Sequence, residues 1–270
     1  MSARSDIPNS EIHYASYLLL DDLLSLQRPL SSPEHPDELL FIIVHQSSEL
    51  WFKVILHEME TLVDVMVRSD AMASIFVVKR INALVRIVTA QLSALDTLPP
   101  QRFAQFRGQL GSSSGSQSAQ FRALEAASGL RDPHFLHALA EHGNPPAMVQ
   151  KWLDRPTLQE LFDALVAAHN TTLQEIYGGD RSPLLMLAEE MLEYEQEFAR
   201  WRFLHVQLVE RIIGPGTTGT GGTLGARYLQ RTVSQRFFPR LWEVRSQFFG
   251  AGGSRESGVG SGEPGTPGAQ

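Results

Sequence analysis

The chain has 270 residues, 43% of them hydrophobic, and a formal net charge of -7. That length allows a real core in one large domain or two small ones, and the acidic balance gives no general electrostatic pull toward nucleic acid or an anionic membrane. No cysteine is present, which excludes disulfides, zinc–thiolate sites, iron–sulfur clusters and a cysteine nucleophile.

The N-terminus, MSARSDIPNSEIHY, lacks the apolar core of a signal segment. No run reaches the ~18 apolar residues of a membrane span, so a cytoplasmic protein without membrane partners is expected. Residues 1–9 read as a loose N-terminus. Asn9 or Ser10 can cap a first helix carrying Tyr14, Tyr17, Leu18, Leu20, Leu23 and Leu24 at helical spacing. The proline-rich segment 28–38 is a loop. Glu38 to Met59 then forms a helix that runs on through Met66, uninterrupted by Pro or Gly and too long for a strand. It is apolar on nearly all sides, which predicts an interior position. A polar knot, His45 to Glu49, sits within it, and buried polar groups need partners. Phe41, His45 and Glu49, spaced four apart, share one face.

A third helix spans roughly 73–95 and is broken by Pro99-Pro100. The short helix QRFAQFRGQL carries Phe103 and Arg107 four apart, and the loop GSSSGSQS leads into a helix over about 120–127. Short helices broken by prolines fill 130–155. A longer one, roughly 158–177, stops at Gly178-Gly179. The last long helix starts at the Ser182-Pro183 cap and runs to about Ile213. Its stripe (Leu184, Leu187, Met191, Tyr194, Phe198, Trp201, His205, Leu208, Ile212) is apolar or aromatic except for His205. The loop GPGTTGTGGTLG and a final helix over about 226–248 follow. The Gly/Ser/Pro-rich tail, 250–270, is expected to be disordered. With no period-2 strands and no repeat, the fold class is all-α: one domain over 10–249 built of long antiparallel helices.

His45 is either a core histidine satisfied by its neighbours or a pocket group, since a neutral imidazole can donate or accept a hydrogen bond. An imidazole on a buried stripe, as at His205, is either structural or an axial haem ligand. Arg107 is either a solvated charge or a guanidinium fork for a carboxylate. Gly214, Gly216 and Gly219 match G-x-G-x-x-G, yet a helix precedes them, so the βαβ context of a dinucleotide site is missing. The loop is instead a flexible connector or a segment that closes over a ligand, with Thr220 and Thr223 supplying hydroxyls. Glu189, Glu190 and Glu193 read as a wetted helix face, and the remaining histidines show no metal-binding spacing.

Together these segments resemble the tryptophan 2,3-dioxygenase family. The resemblance rests on Y-x-x-Y-L-x-L-D (14–21), L-F-I-I-V-H-Q-S-S-E-L-W-F-K (40–53), F-R-G-Q-L-G (106–111), S-G-S-Q-S-A-Q-F-R (114–122), W-R-F-L-H-V (201–206), G-T-G-G (219–222) and R-F-F-P-R-L-W-E-V-R (236–245). It implies an all-α haem pocket in a homotetramer, a dimer of dimers. It also implies one noncovalent b-type haem per subunit and insertion of both atoms of O2 across the indole C2–C3 bond of L-tryptophan. The product is then N-formyl-L-kynurenine, the entry to the kynurenine route of tryptophan degradation.

By motif position the resemblance makes His205 the axial iron ligand and His45 the distal histidine that hydrogen-bonds the indole N–H. Phe41 and Phe103 would line the pocket, and Arg107 would hold the substrate carboxylate. Thr220 would hold the amino acid head group, and Ser114, Gly115 and Trp201 would border the haem. Tyr14 and Tyr17 would reach into a neighbouring subunit's pocket. The sequence departs from the family pattern at Ser116, where the family has Phe, at Thr223-Leu224 after T-G-G, and in one extra residue between His205 and Thr220. Two rival readings are a haem oxygenase for a modified tryptophan, inserting one or two oxygen atoms, and a non-catalytic haem-binding helical protein.

Overall fold

The 30-residue helix α3 (Glu38–Val67) is the spine of the computed structural model, which describes residues 12–131, 137, 145–217, 230 and 232–250. The expected loose N-terminus, Thr220, Thr223-Leu224 and residues 251–270 lie outside the described residues. Asp37, at the N-cap, makes no side-chain cap. Instead the Glu38 carboxylate accepts hydrogen bonds from the Leu30 N–H at 2.7 Å and the Ser31 N–H at 3.0 Å, which ties the preceding loop to the helix start. Helix α4 (Ala71–Ala90) begins where the Asp70 side chain accepts from the Ala73 N–H, an N-cap that satisfies one of the free amides of the first turn. The tight link between α3 and α4 makes them antiparallel neighbours.

Around this pair stand α1 (Tyr14–Leu18), α2 (Leu20–Leu24), α5 (Leu92–Leu95), α6 (Pro100–Arg107) and α7 (Ala119–Ser128). Next come α8 (Ala147–Leu153), α9 (Leu158–Ala168), α10 (Leu173–Gly178), the 31-residue α11 (Pro183–Ile213) and α12 (Pro239–Gly250). Two single 3-10 turns, Gly108–Leu110 and Gly115–Gln117, lie between α6 and α7. No strand occurs among the described residues, so the all-α expectation holds. Helix α11 packs along α4, and α3 along α4 and α7. The pairs Asn82–Glu190, Arg86–Glu193 and Arg86–Glu197 advance together in both helices, so α4 and α11 run parallel. Helices α7 and α12 run antiparallel to α11, as the pairs Phe121–Trp201 with Ser128–Tyr194 and Trp242–Glu195 with Arg245–Glu189 show.

Three expected helices are each split. The first breaks at Leu19, which has φ 51°, and the third at Gln91. The helix expected over 158–177 is interrupted at Asn170, with φ 52°, after which Thr172 caps a fresh start. The final helix is continuous only from Pro239 among the described residues. Glu189, Glu190 and Glu193 do lie toward solvent, but each pairs with a cation: Arg245, Lys79 and Arg86 respectively.

The main core joins Ile55, Met59, Leu62 and Met66 of α3 to Ile75, Val78 and Ile81 of α4. On the other side it takes in Leu187, Met191 and Tyr194 of α11. Each such side chain contributes about 1.5–3 kcal/mol by leaving water. Contrary to the interior position expected for α3, its Leu39, Ile43, Leu50 and Val54 are exposed in the single chain. They fall at intervals of four, seven and four residues and so form one apolar stripe. By length and composition alone α3 could cross a membrane; in this fold its opposite face packs against α4, α7 and α9. Two smaller apolar clusters fill the end of the bundle where the N-terminal half of α3 meets α5, α6 and the C-terminal half of α11. One is built on Val44, Leu92, Leu95 and Leu208, and the other on Leu98, Phe103 and Phe106.

Candidate functional site

At that end of the bundle Phe41, His45, Phe103, Trp201 and His205 come together. Phe41 belongs to both small clusters, and Trp201 packs on the first. Ring centroids lie 4.2 Å apart for Phe41 and His45, 5.5 Å for Phe41 and Phe103, and 5.3 Å for Phe103 and Phe106. The helical spacing of four stacks Phe41 directly beneath His45, and proline in the first turn of α6 aims Phe103 and Phe106 at the same wall. Phe106, fully buried, was not singled out by the sequence reading; its spacing of three from Phe103 is the signal that could have found it.

His45 Nδ1 donates to the Phe41 carbonyl at 2.7 Å. In the neutral ring this places the proton on Nδ1 and leaves Nε2 as a free acceptor. Burial pushes the His45 pKa below the ordinary histidine value, outweighing the opposing pull of the Phe41 hydrogen bond and the Glu49 charge. Yet His45 keeps accessible surface. A ring surrounded by protein but still reachable lines a cleft.

His205 is more extreme. Its pKa is pushed down to about 4, first by burial and then by the nearby His45, because two protonated imidazoles there would repel each other. Among the described residues nothing hydrogen-bonds its ring. Trp201 stacks on it, with centroids 5.1 Å apart and planes 13° from parallel. The Trp201 Nε1–H beside it is buried without a partner, an unusual state for an indole donor. A neutral imidazole with no hydrogen-bond partner among the described residues, backed by an indole, suits a bond to a metal in an apolar pocket. The orphaned indole N–H suits a polar edge on the group that the metal carries. The residues present therefore fit a haem.

Arg107 ends α6, one turn beyond Phe103. Ser114 caps the 3-10 turn at Gly115: its side chain accepts from the Ser116 N–H at 3.3 Å, and its hydroxyl meets the Ser116 hydroxyl at 2.9 Å. Gly214 ends α11 at φ 85°, a conformation that favours glycine, and starts the glycine-rich loop. Thr220 of that loop is outside the described residues. Tyr14 and Tyr17 are not brought to the cleft of their own chain; they stand 75% and 66% exposed on α1. The described residues hold no cluster of three or more His, Asp and Glu that could chelate a metal ion. A cavity of about 640 Å³ at the far end of α3, lined by Arg68, Asp70, His169 and Glu175 among others, shares no residue with the histidine cleft.

A family model described as Tryptophan 2,3-dioxygenase matches residues 2–142 and 162–248. A tryptophan 2,3-dioxygenase of Kineococcus radiotolerans is 37% identical over 262 residues, covering 88% of this chain and 91% of its own length. One from Caulobacter vibrioides is 37% identical, covering 88% of this chain and 98% of its own. Another, from Herpetosiphon aurantiacus, is 38% identical over 258 residues, covering 86% and 97%. Matches at this identity, running nearly end to end on both sides, mean that the chain belongs to the tryptophan 2,3-dioxygenase family.

Proposed function

We propose that the protein cleaves the indole C2–C3 bond of L-tryptophan with O2 to give N-formyl-L-kynurenine, using one b-type haem per subunit held by His205. The observation that carries this reading is a pair of imidazoles on different helices: His205, stacked on Trp201 and without a hydrogen-bond partner among the described residues, and His45, whose Nδ1 is committed to the Phe41 carbonyl and whose Nε2 is left as an acceptor. When bound, the haem supplies the iron that lets O2 react with a closed-shell indole. The chain's own residues bind, orient and exclude water. Arg107 pairs with the substrate carboxylate as a two-pronged donor. Thr220 takes the amino acid head group. Phe41 and Phe103 wall the indole, and His45 Nε2 accepts the indole N–H and so fixes which ring edge faces the iron. Ser114, Gly115 and Trp201 would border the haem.

The apolar stripe of Leu39, Ile43, Leu50 and Val54, together with the exposed Tyr14, Tyr17 and Leu24, supports a homotetramer in which α1 of one subunit reaches its neighbour's cleft. A cytoplasmic setting fits a chain without cysteine.

Turnover of L-tryptophan by haem-loaded protein under isotopically labelled O2 tests the reading. Two labelled atoms in the product support it. One labelled atom, or turnover of a ring-substituted tryptophan alone, would replace it with the modified-indole oxygenase.

A further inference from the structure

Behind the cleft lies a charge cluster that the reaction as described does not use. Glu125 of α7 and Arg202 of α11 are 1% and 3% exposed. Arg202 Nη2 donates to Glu125 Oε1 at 3.0 Å, and Arg122 Nη1 donates to Glu125 Oε2 at 2.7 Å. One carboxylate thus bridges two guanidiniums. Such a buried group gains little net stability over apolar packing, because taking the charges out of water offsets their attraction. What the cluster touches on its outer sides is more informative. Arg122 Nε donates to the Ser116 carbonyl at 3.2 Å, in the serine turn next to Ser114 and Gly115. Arg202 Nη1 donates to the Thr232 carbonyl at 3.1 Å, in the chain that returns from the glycine-rich loop. The Arg202 guanidinium carbon also lies 5.1 Å from the Phe237 ring centroid.

Helix α7 reaches the opposite wall as well. Gln120 Nε2 donates to the Glu49 carbonyl at 2.8 Å and to Glu49 Oε2 at 2.7 Å, one turn along α3 from His45. One ten-residue helix therefore braces α3 beside His45, the serine turn, and α11 one turn before His205. We propose that Glu125, by bridging Arg122 and Arg202, is a positioning residue for the dioxygenase reaction: it holds the serine turn at Ser116 and the returning chain at Thr232 in register with the helix that carries His205. Its kinetic consequence rests on the haem reading above; its structural consequence does not.

The test uses haem-loaded full-length protein and two variants, Glu125→Gln and Arg202→Lys. The first keeps the side-chain size and removes the charge. The second keeps the charge and loses the forked reach, so it decides the matter if the first fails to fold. Amide hydrogen exchange is followed in peptides covering 112–118 and 232–238, beside steady-state kinetics on L-tryptophan. Coupled groups of this kind exchange enough energy for roughly tenfold effects. Exchange should rise about tenfold in both peptides together, although Arg202 touches only the second, and KM should rise about tenfold with kcat changed less than about twofold.

Faster exchange at 232–238 alone, or an even rise along the whole chain with KM unchanged, overturns the proposal and leaves a merely structural ion cluster. If the unaltered protein turns over no L-tryptophan, the haem reading fails by itself, and the paired exchange response still decides the bracing role.

Discussion

His45 commits its Nδ1 proton to the Phe41 carbonyl, so a neutral ring has Nε2 left to receive an N–H. Protonation would turn that acceptor into a donor and repel the indole N–H. Because burial lowers the His45 pKa from 6.5, the neutral form persists into mild acid, and the acid limb of kcat/KM is expected below pH 6.5. Glu49 opposes that shift, so Glu49→Gln should move the limb to still lower pH; a limb that moves upward, or lies above 6.5 in the unaltered enzyme, counts against His45 as the acceptor. Arg107→Leu should cost about 2–5 kcal/mol in kcat/KM for L-tryptophan, the scale of a buried charge pair losing one partner. Equal loss toward an indole lacking the carboxylate would show that Arg107 does not bind that group. Histidine and arginine roles of this kind are only half visible in sequence. The residue types and their spacing in 41–45 and 103–107 were legible, but the Trp201 stack and the free indole N–H are tertiary facts.

Among the helices, legibility followed chemistry at the ends. The bounds of α11 agree with the sequence because Ser182 caps it, Pro183 opens it and Gly214 ends it at a positive φ of 85°. Asn170 has a positive φ of 52°, which Asn tolerates, so that break carried a weak signal. Leu19 adopts the left-handed conformation without any favouring side chain, and nothing local marks it. The Arg122–Glu125–Arg202 cluster was missed because Glu125 and Arg202 meet only across the folded chain; a charged pair three apart inside the apolar run of α7 was the sole hint. Glu195 of α11 was missed for the same reason. It is 1% exposed and accepts from the N–H groups of Phe237 and Phe238 at 2.7 and 2.8 Å and from Trp242 Nε1 at 2.7 Å. The two backbone donors stay buried if it is removed. Glu195→Ala should therefore lower unfolding stability by about 2–4 kcal/mol in urea titration, since each orphaned buried donor costs about 1–3 kcal/mol. A loss under about 0.5 kcal/mol, the scale of a surface change, would show that water or a rearranged chain replaces it.

At the scale of the molecule, the single chain leaves its longest apolar helix partly uncovered. Leu39, Ile43, Leu50 and Val54 lie on one side of α3, and Tyr14, Tyr17 and Leu24 project from α1 and α2. Light scattering on purified protein is expected to give the mass of four chains of 30.0 kDa each. Ile43→Glu should break this into smaller species; an unchanged mass would place the subunit contact elsewhere. The sequence foresaw an all-α chain and an apolar α3, but not which face of that helix the fold would leave open, because the choice depends on where α4 and α7 pack. The whole account depends on an iron porphyrin seated on His205, and absorption spectroscopy after haem reconstitution tests it most directly. The unaltered protein should give a Soret band of histidine-ligated haem; His205→Ala should lose or shift it, with added imidazole restoring it. An unchanged spectrum in His205→Ala, or an unaltered protein that takes up no haem, would contradict the account.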